Sequence, residues 1–206
     1  LQVKLTSTVN AKFAISTGVS KLGTGAAIYL GYNVILGVIS GTGIACYGIS
    51  CRNSTSAYTY NAYIHNNIIY DFVNGSNVCL GLYTLGGTAS WNIYCYNNTI
   101  QNCYYGYIQG DANVAFTAKN CIAQDCTDGF NGTFTSSDYN CSDITSDAPG
   151  ANSQTGEVVF QDEANDDFHL GSTDTVARNN GVTNPGSGLF YHDIDDQIRT
   201  GIGARD

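Results

Sequence analysis

The chain of 206 residues contains no methionine, two prolines, one tryptophan and only eight lysines and arginines. Charged residues make up 12% of it, about half of the usual share. So few cations exclude a nucleic-acid-binding surface, because affinity for phosphates needs clustered lysine and arginine. The apolar runs are short and interrupted by glycine, asparagine and serine, which excludes a membrane-spanning helix. With 43% hydrophobic residues, the chain is expected to bury a core as one domain, with or without an appendage.

The few charges are divided unevenly along the chain. Residues 1–110 carry four cations and a single acid, Asp71, whereas residues 111–206 carry four cations and sixteen acids. The net charge of −9 therefore combines +3 in the first part with −12 in the second. The surface of the first part must be built from asparagine, serine, threonine, glycine and tyrosine, a composition common on secreted and virion proteins.

Two short sequence marks recur through the middle of the chain. The first is an asparagine followed two places later by isoleucine, degenerate in its last copy, and its asparagines are Asn33, Asn67, Asn98, Asn120 and Asn140. The second is a cysteine followed by glycine and a hydrophobic residue, and it begins at Cys46, Cys79, Cys103 and Cys126. The asparagines are 34, 31, 22 and 20 residues apart, and the cysteines 33, 24 and 23. Two marks that shift together indicate a structural repeat.

The repeat favours strands over helices. The chain lacks the i, i+3, i+4, i+7 apolar pattern of helical repeats, and the runs between the marks are rich in β-branched and aromatic residues. A step of about 22 residues fits three short strands and three turns, which is one coil of a parallel β-helix. Asn67, Asn98 and Asn120 would then stack in a column about 4.8 Å apart at a recurring turn. The cysteines would fill the core as small hydrophobic side chains.

On these marks, residues 25–145 resemble the right-handed parallel β-helix proteins, the superfamily of pectate lyases, phage tailspikes and many secreted bacterial repeat proteins. Three downstream segments, 160–170, 177–181 and 193–199, are similar to the closing segment of such proteins. The resemblance implies an all-β single-stranded solenoid of about five coils at residues 25–145. It also implies an N-terminal cap or linker at residues 1–24 and a loop-rich, acidic C-terminal capping segment at residues 146–206. Because the chain starts at Leu1, lacks methionine and stops where the family's last stretch would begin, we expect it to be part of a longer protein.

The eight cysteines do not suit a zinc site. No two of them are separated by two residues, and the three histidines lie outside any zinc spacing, so no metal is expected there. A stacked core of free thiols is the favoured interpretation. The even count also leaves disulfides open, for example between Cys121 and Cys141.

Acids in the second half provide two sets of candidate residues. Asp125 and Asp128 flank the last cysteine mark and are the candidates for catalysis, which in glycosidases needs two carboxylates; solvated turn acids are the competing interpretation. The tail holds candidate calcium ligands without an EF-hand pattern, namely Asp162, Asp166, Asp167, Asp193 and Asp195, with Glu163 and Asp196 beside them. Arg178 and Arg199 could instead pair with these acids and attach the tail to the last coil.

Tyrosines near the later marks are candidates for ligand binding. Alternation places Tyr94 and Tyr96 on one face of a strand, with Tyr104 and Tyr105 further along. Exposed aromatic rings beside asparagine and serine suit the stacking of sugars. The competing interpretation is aromatic stacking within the wall of the fold, which β-rich chains use routinely.

These features together favour a non-catalytic structural or recognition module on a virion or cell surface, associated with a capsid or tail or binding glycans. The first 110 residues hold a single acid, and the repeat is rigid and its surface neutral. We expect partners to be other protein chains of a surface assembly or glycans, a homo-oligomer being open, without nucleic acid or membrane. The alternative is a polysaccharide lyase or glycoside hydrolase that acts on a surface polysaccharide with the later acids.

Overall fold

The chain is all-β, and its long sheets consist of parallel strands, as the sequence predicts. The structure, a computed structural model, describes residues 1–7, 12–19, 24–39, 45–53, 58–73, 79–85, 90–186, 188 and 192–195. Strands β1 to β9 are Gln2–Ser7, Lys12–Val19, Ala27–Gly31, Val34–Ile39, Cys46–Asn53, Thr59–His65, Ile68–Tyr70, Cys79–Leu85 and Ser90–Tyr96. Strands β10 to β18 are Thr99–Gln101, Tyr105–Gln109, Val114–Lys119, Ile122–Gln124, Asp128–Asn131, Cys141–Ser142, Gln154–Thr155, Phe160–Asp162 and Asp167–Leu170.

Through most of the chain, each strand pairs with the third strand after it. The first sheet has the order β1-β4-β7-β10-β13-β15-β16, the second β2-β5-β8-β11-β14 and the third β3-β6-β9-β12. Strands β17 and β18 form an antiparallel hairpin around a short 3-10 turn at Glu163–Asn165. Residues that are about one repeat apart in sequence are therefore neighbours across a sheet.

Asparagines form a buried, hydrogen-bonded column beside the first sheet. Asn33 Nδ2 donates to Asn67 Oδ1 at 2.8 Å, and Asn67 Nδ2 donates to Asn98 Oδ1 at 2.9 Å. The next position is taken by Cys121, whose backbone N–H donates to Asn140 Oδ1 at 3.0 Å. The amide side chains thus satisfy backbone groups at a turn that has no room for water.

The prediction that Asn120 belongs to this column is wrong by one residue. Because Thr99 pairs with Ile122, Asn98 lies opposite Cys121, and Asn120 lies opposite Asn97, to which its side chain donates a hydrogen bond of 3.0 Å. Asn97 and Asn120 have φ values of 53° and 55°. They form a second column of left-handed turn residues, a conformation that asparagine tolerates better than most side chains do.

In the cysteine mark, the hydrophobic residue keeps register better than the cysteine does. Tyr107 pairs with Phe130, and their rings stack at 4.7 Å. Cys46 pairs with Cys79, but the register of β8 and β11 brings Tyr104 rather than Cys103 opposite Cys79. The extra residue before Gly106 in that copy explains the displacement.

The main core lies between the three sheets. It contains isoleucines, aromatic rings and thiols, including Ile35, Ile64, Trp91, Cys95 and Cys121, all without exposed surface. The described cysteines 46, 51, 95, 103, 121, 126 and 141 are free thiols. Cys121 packs in this core, whereas Cys141 packs in a second cluster, so a disulfide between them is not formed.

That second cluster lies on the outer face of the first sheet. Val158, Phe160 and Phe168 of the tail pack there against Tyr70 and Ile122. Val34, Leu36 and Ile68 border the cluster on the sheet side. Outward-facing apolar residues of β4, β7 and β13 are thereby covered by the chain that follows the sheets.

Candidate functional site

The outer face of the third sheet carries side chains in three columns. The middle column contains Tyr29, Tyr63, Tyr94 and Thr117, and a neighbouring column contains Ala27, Asn61, Asn92 and Ala115. The outward positions of β3, β6 and β9 include no Asp, Glu, Lys or Arg, and Lys119 stands at the far end of β12. This face, called the tyrosine face below, is a polar and uncharged surface with aromatic rings.

The three tyrosines form a ladder of stacked rings. Ring centroids of Tyr29 and Tyr63 are 4.9 Å apart at 11°, and those of Tyr63 and Tyr94 are 4.9 Å apart at 13°. Asn92 Nδ2 donates to Asn61 Oδ1 at 3.0 Å in the adjacent column. Both faces of the Tyr63 ring are therefore occupied by other rings, as the structural interpretation of the tyrosines implies.

The ladder ends at Tyr94 in a step. The next residue in its column is Thr117, and the neighbouring column passes from Asn92 to Ala115. Thr117 is itself tied to the following strand, since its hydroxyl donates to the carbonyl of Thr135 at 2.9 Å. One face of the Tyr94 ring is thus turned toward small side chains, which leaves space for a flat ligand group above Thr117 and Ala115.

The other three predicted tyrosines lie elsewhere. Tyr96 is on the same side of β9 as Tyr94, at a ring distance of 6.3 Å, but it is only 4% exposed. A Cβ at Gly186 would lie 2.8 Å from the Tyr96 hydroxyl, so the tail covers this ring closely. Tyr104 and Tyr105 pack edge to face in and beside β11 of the second sheet. The structure therefore groups Tyr94 with Tyr29 and Tyr63 rather than with Tyr104 and Tyr105.

Tyr29 and Tyr63 were missed by the sequence reasoning, although a signal for them exists. They precede Tyr94 by steps of 34 and 31 residues, the same steps that separate Asn33, Asn67 and Asn98. Residues that keep a fixed offset from a repeating mark fall in one column of a parallel sheet.

The candidate catalytic acids are held in turns. Asp125 is exposed with φ of 53°, and its backbone N–H donates to Asp143 Oδ2 at 3.0 Å. Its side chain accepts a hydrogen bond of 3.2 Å from Gln101, which also donates to Glu163 at 2.6 Å. Asp128 accepts a hydrogen bond of 2.6 Å from the side chain of Asn131. These contacts are those of turn residues, and they stabilise corners of the fold.

The candidate calcium ligands of the tail each contact other groups of the protein. Asp162 accepts from the Asn165 side chain at 2.8 Å, and Asp193 accepts from the Asp195 backbone at 3.0 Å. Asp166 accepts from the Tyr70 hydroxyl at 3.3 Å, and Asp167 and Asp195 contact His169. Asp196 lies outside the described residues. Across the part of the chain that is described, no group of three or more His, Cys, Asp or Glu side chains is arranged to hold a metal ion.

Asparagines, rather than arginines, attach the end of the described tail to the sheets. Asn120 Nδ2 donates to Val182 O at 2.8 Å and its Oδ1 accepts from Val182 N at 2.8 Å. Asn66 Nδ2 donates to His192 O at 3.0 Å. Arg178 donates to Ser172 O within the tail itself, and Arg199 lies outside the described residues. The column of left-handed turn asparagines therefore also serves as a binding edge for the tail.

Comparisons of the chain with protein-family models, with curated proteins and with solved structures find no match. Among the described residues there is no helix long and apolar enough to cross a membrane. The functional argument therefore depends on the tyrosine face and on the tail.

Proposed function

We propose that this chain is a non-catalytic recognition module, built as a right-handed parallel β-helix, that binds neutral glycans through its tyrosine face on a virion or cell surface. The pairing of each strand with the third one after it supports the β-helix, because three successive strands would then make one coil. The right-handed sense follows from the general preference of parallel crossover connections.

The observation that carries the proposed binding is the uncharged tyrosine face. Neutral glycans are recognised by aromatic rings that contact the apolar side of a pyranose and by amides and hydroxyls that contact its hydroxyl groups. The tyrosine face offers both, with the open face of Tyr94 beside Asn92 and Thr117. Neighbouring strands repeat these groups about 4.8 Å apart, a spacing close to the length of one sugar unit, so a linear glycan could lie along the column.

The charge distribution favours a neutral ligand over an acidic one. The net charge of −9 repels acidic polysaccharides, and the tyrosine face offers Lys119 alone at its edge. The turn contacts of Asp125 and Asp128 favour binding without catalysis, since both carboxylates already accept hydrogen bonds within the fold.

The test is binding of neutral and acidic polysaccharides, such as a β-glucan, a galactomannan and a polygalacturonate, measured by affinity electrophoresis and calorimetry. We expect a neutral polymer to bind and Tyr94→Ala to weaken it about tenfold, since an aromatic contact contributes about 1 kcal/mol. Tyr105→Ala, a matched change on the second sheet, should leave the affinity unchanged. Equal effects of the two substitutions, or binding of the acidic polymer alone, would contradict the proposal.

The two proposed locations are separated by the neighbours of the gene. Capsid or tail genes beside the parent reading frame would favour a virion protein, with other chains of the particle as partners. A signal peptide and a sorting segment in that frame would favour a secreted or surface-attached protein.

A further inference from the structure

A cavity of about 670 Å³ lies between the outer face of the first sheet and the tail. Val34, Leu36 and Ile68 form its apolar floor, and Phe168 and Ile194 line it from the tail side. Its volume is that of a small-molecule site, and it is separate from the tyrosine face on the third sheet.

One wall of this cavity is held by a histidine between two carboxylates. His169 Nδ1 contacts Asp167 Oδ1, and His169 Nε2 lies 2.5 Å from Asp195 Oδ2. A neutral imidazole has one N–H, so its second nitrogen would present a lone pair to a carboxylate oxygen. Only the imidazolium donates to both carboxylates, and the contact therefore requires a proton. We call this arrangement of Asp167, His169 and Asp195 the clasp.

The charged groups around the clasp also favour the protonated form. Asp166 in the preceding turn lines the same cavity, and Asp193 lies on the turn that carries Asp195. The opposing charge is Lys4 of β1, and Tyr70 of β7 is a neutral neighbour whose pKa burial raises to about 12, helped by Asp166. The hydrogen bond with Asp195, followed by that with Asp167, raises the pKa of His169 above its ordinary value.

We propose that the clasp is a proton-dependent closure of the cavity, in which protonated His169 holds residues 193–195 over the apolar floor and neutral His169 releases them. The segment stays attached at His192, where the Asn66 side chain donates to the backbone carbonyl at 3.0 Å. This bond does not titrate near neutral pH, so release is local to the Asp195 side. Release exposes Val34, Leu36 and Ile68 to an apolar ligand.

The direction of the pH dependence follows from the proton balance. A histidine whose pKa is raised in the closed state stabilises that state fully below the ordinary value of about 6.5. The stabilisation is lost as the pH rises through the raised value. The cavity is therefore closed at mildly acidic pH and opens as the solution becomes alkaline.

Two measurements on the whole chain between pH 5 and 9 test the closure. Proton NMR of the histidine rings follows the titration of His169, whose signals are identified by their loss in His169→Gln. Fluorescence of Nile red, a neutral dye, reports on access to the apolar floor. We expect the His169 midpoint above about 6.5 and an increase in dye fluorescence over the same pH range.

Substitutions separate the closure from general effects of pH. Asp195→Asn should shift the His169 midpoint down and give dye binding already at acidic pH. Asp111→Asn removes one carboxylate from a distant turn and should leave both readouts as in the original chain. An unshifted His169 midpoint, a dye signal that does not change with it, or the same dye response in Asp195→Asn would overturn the proposal. A rise in fluorescence that coincides with loss of the circular-dichroism signal would overturn it as well, because the opening would then be global unfolding.

Discussion

The side-chain nitrogen of Asn67 donates a hydrogen bond of 2.9 Å to the side-chain oxygen of Asn98, 31 residues further along the chain. The backbone N–H of Asn67 donates to the same oxygen at 3.0 Å. Asn98 in turn donates from Nδ2 to Ile64 O at 2.7 Å, and each of the two asparagines is only 1% exposed. A single buried side chain thus connects the corners of two consecutive repeats.

Replacing Asn98 by alanine is expected to destabilise the fold strongly. The substitution leaves the backbone N–H of Asn67 and the carbonyl of Ile64 buried without these partners, and each such group costs about 1–3 kcal/mol. We therefore expect a loss of about 3 kcal/mol in the free energy of unfolding, measured by urea denaturation.

The matched control is Asn92→Ala on the tyrosine face. Asn92 is partly exposed and donates to Asn61, so water can replace the lost bond and the loss should stay below about 1 kcal/mol. Equal losses in the two variants would show that the buried column contributes no more than a surface pair.

The asparagine column could be predicted because its chemistry is local and repeats. An amide at a tight turn satisfies backbone groups of the next strand, so asparagine recurs wherever that turn recurs. The single error arose at Asn120, where asparagine also suits the preceding left-handed position and the buried position holds Cys121. Two adjacent positions that favour one residue type make the register ambiguous by one.

The tail and the full tyrosine face could not be predicted in the same way. Packing of Phe168 against Tyr70 joins residues 98 positions apart that share no repeat, so no pattern in the sequence predicts it. His169 between two carboxylates depends on the same folding back of the tail. Outward apolar residues on the first sheet, such as Leu36 and Ile68, were the available sign that something covers it.

Asp147 is expected to make stability fall as the pH rises. Its partial burial and the nearby carboxylates of Asp128 and Asp143 raise its pKa, although Ser142 and the Phe130 N–H donate to it. A carboxyl whose pKa is raised by folding stabilises the folded state when protonated, and this contribution is lost as the pH rises through the folded value. Asp147→Asn, which carries no charge, should therefore gain stability relative to the original chain between pH 4 and 7.

Asp138→Asn provides a control of opposite sign. Slight burial acts to raise the pKa of Asp138, but hydrogen bonds from Asn152 and Tyr139 outweigh it and lower the pKa. That carboxylate stabilises the fold above its ordinary pKa, so the variant should lose stability over the same pH range. Urea denaturation at each pH measures both trends, and parallel trends would contradict the assignment.

The thiols of the core are expected to be unreactive in the folded protein. Burial raises the pKa of Cys51 and of Cys121 to about 11, and it raises that of Cys95 as well. Thiolate is the reactive form, and these side chains are also shielded from reagent. Ellman's reagent at pH 8 should react slowly with the folded chain and with all eight cysteines in urea.

Reductant provides the control for this measurement. Because the described cysteines are free, dithiothreitol should leave the urea midpoint unchanged. Fast reaction of several thiols in the folded state, or a midpoint that falls with reductant, would contradict the buried-thiol core.

A panel of acidic and neutral polysaccharides is expected to yield neither new reducing ends nor unsaturated products when incubated with the protein. Asp125 and Asp128 are engaged by Gln101 and Asn131, and a glycosidase needs two carboxylates free to approach opposite sides of the scissile bond. Reducing-sugar and absorbance assays measure the two product types. Turnover that is abolished by Asp125→Asn or Asp128→Asn, but kept in Asp111→Asn, would replace the proposed recognition module with a polysaccharide-cleaving enzyme.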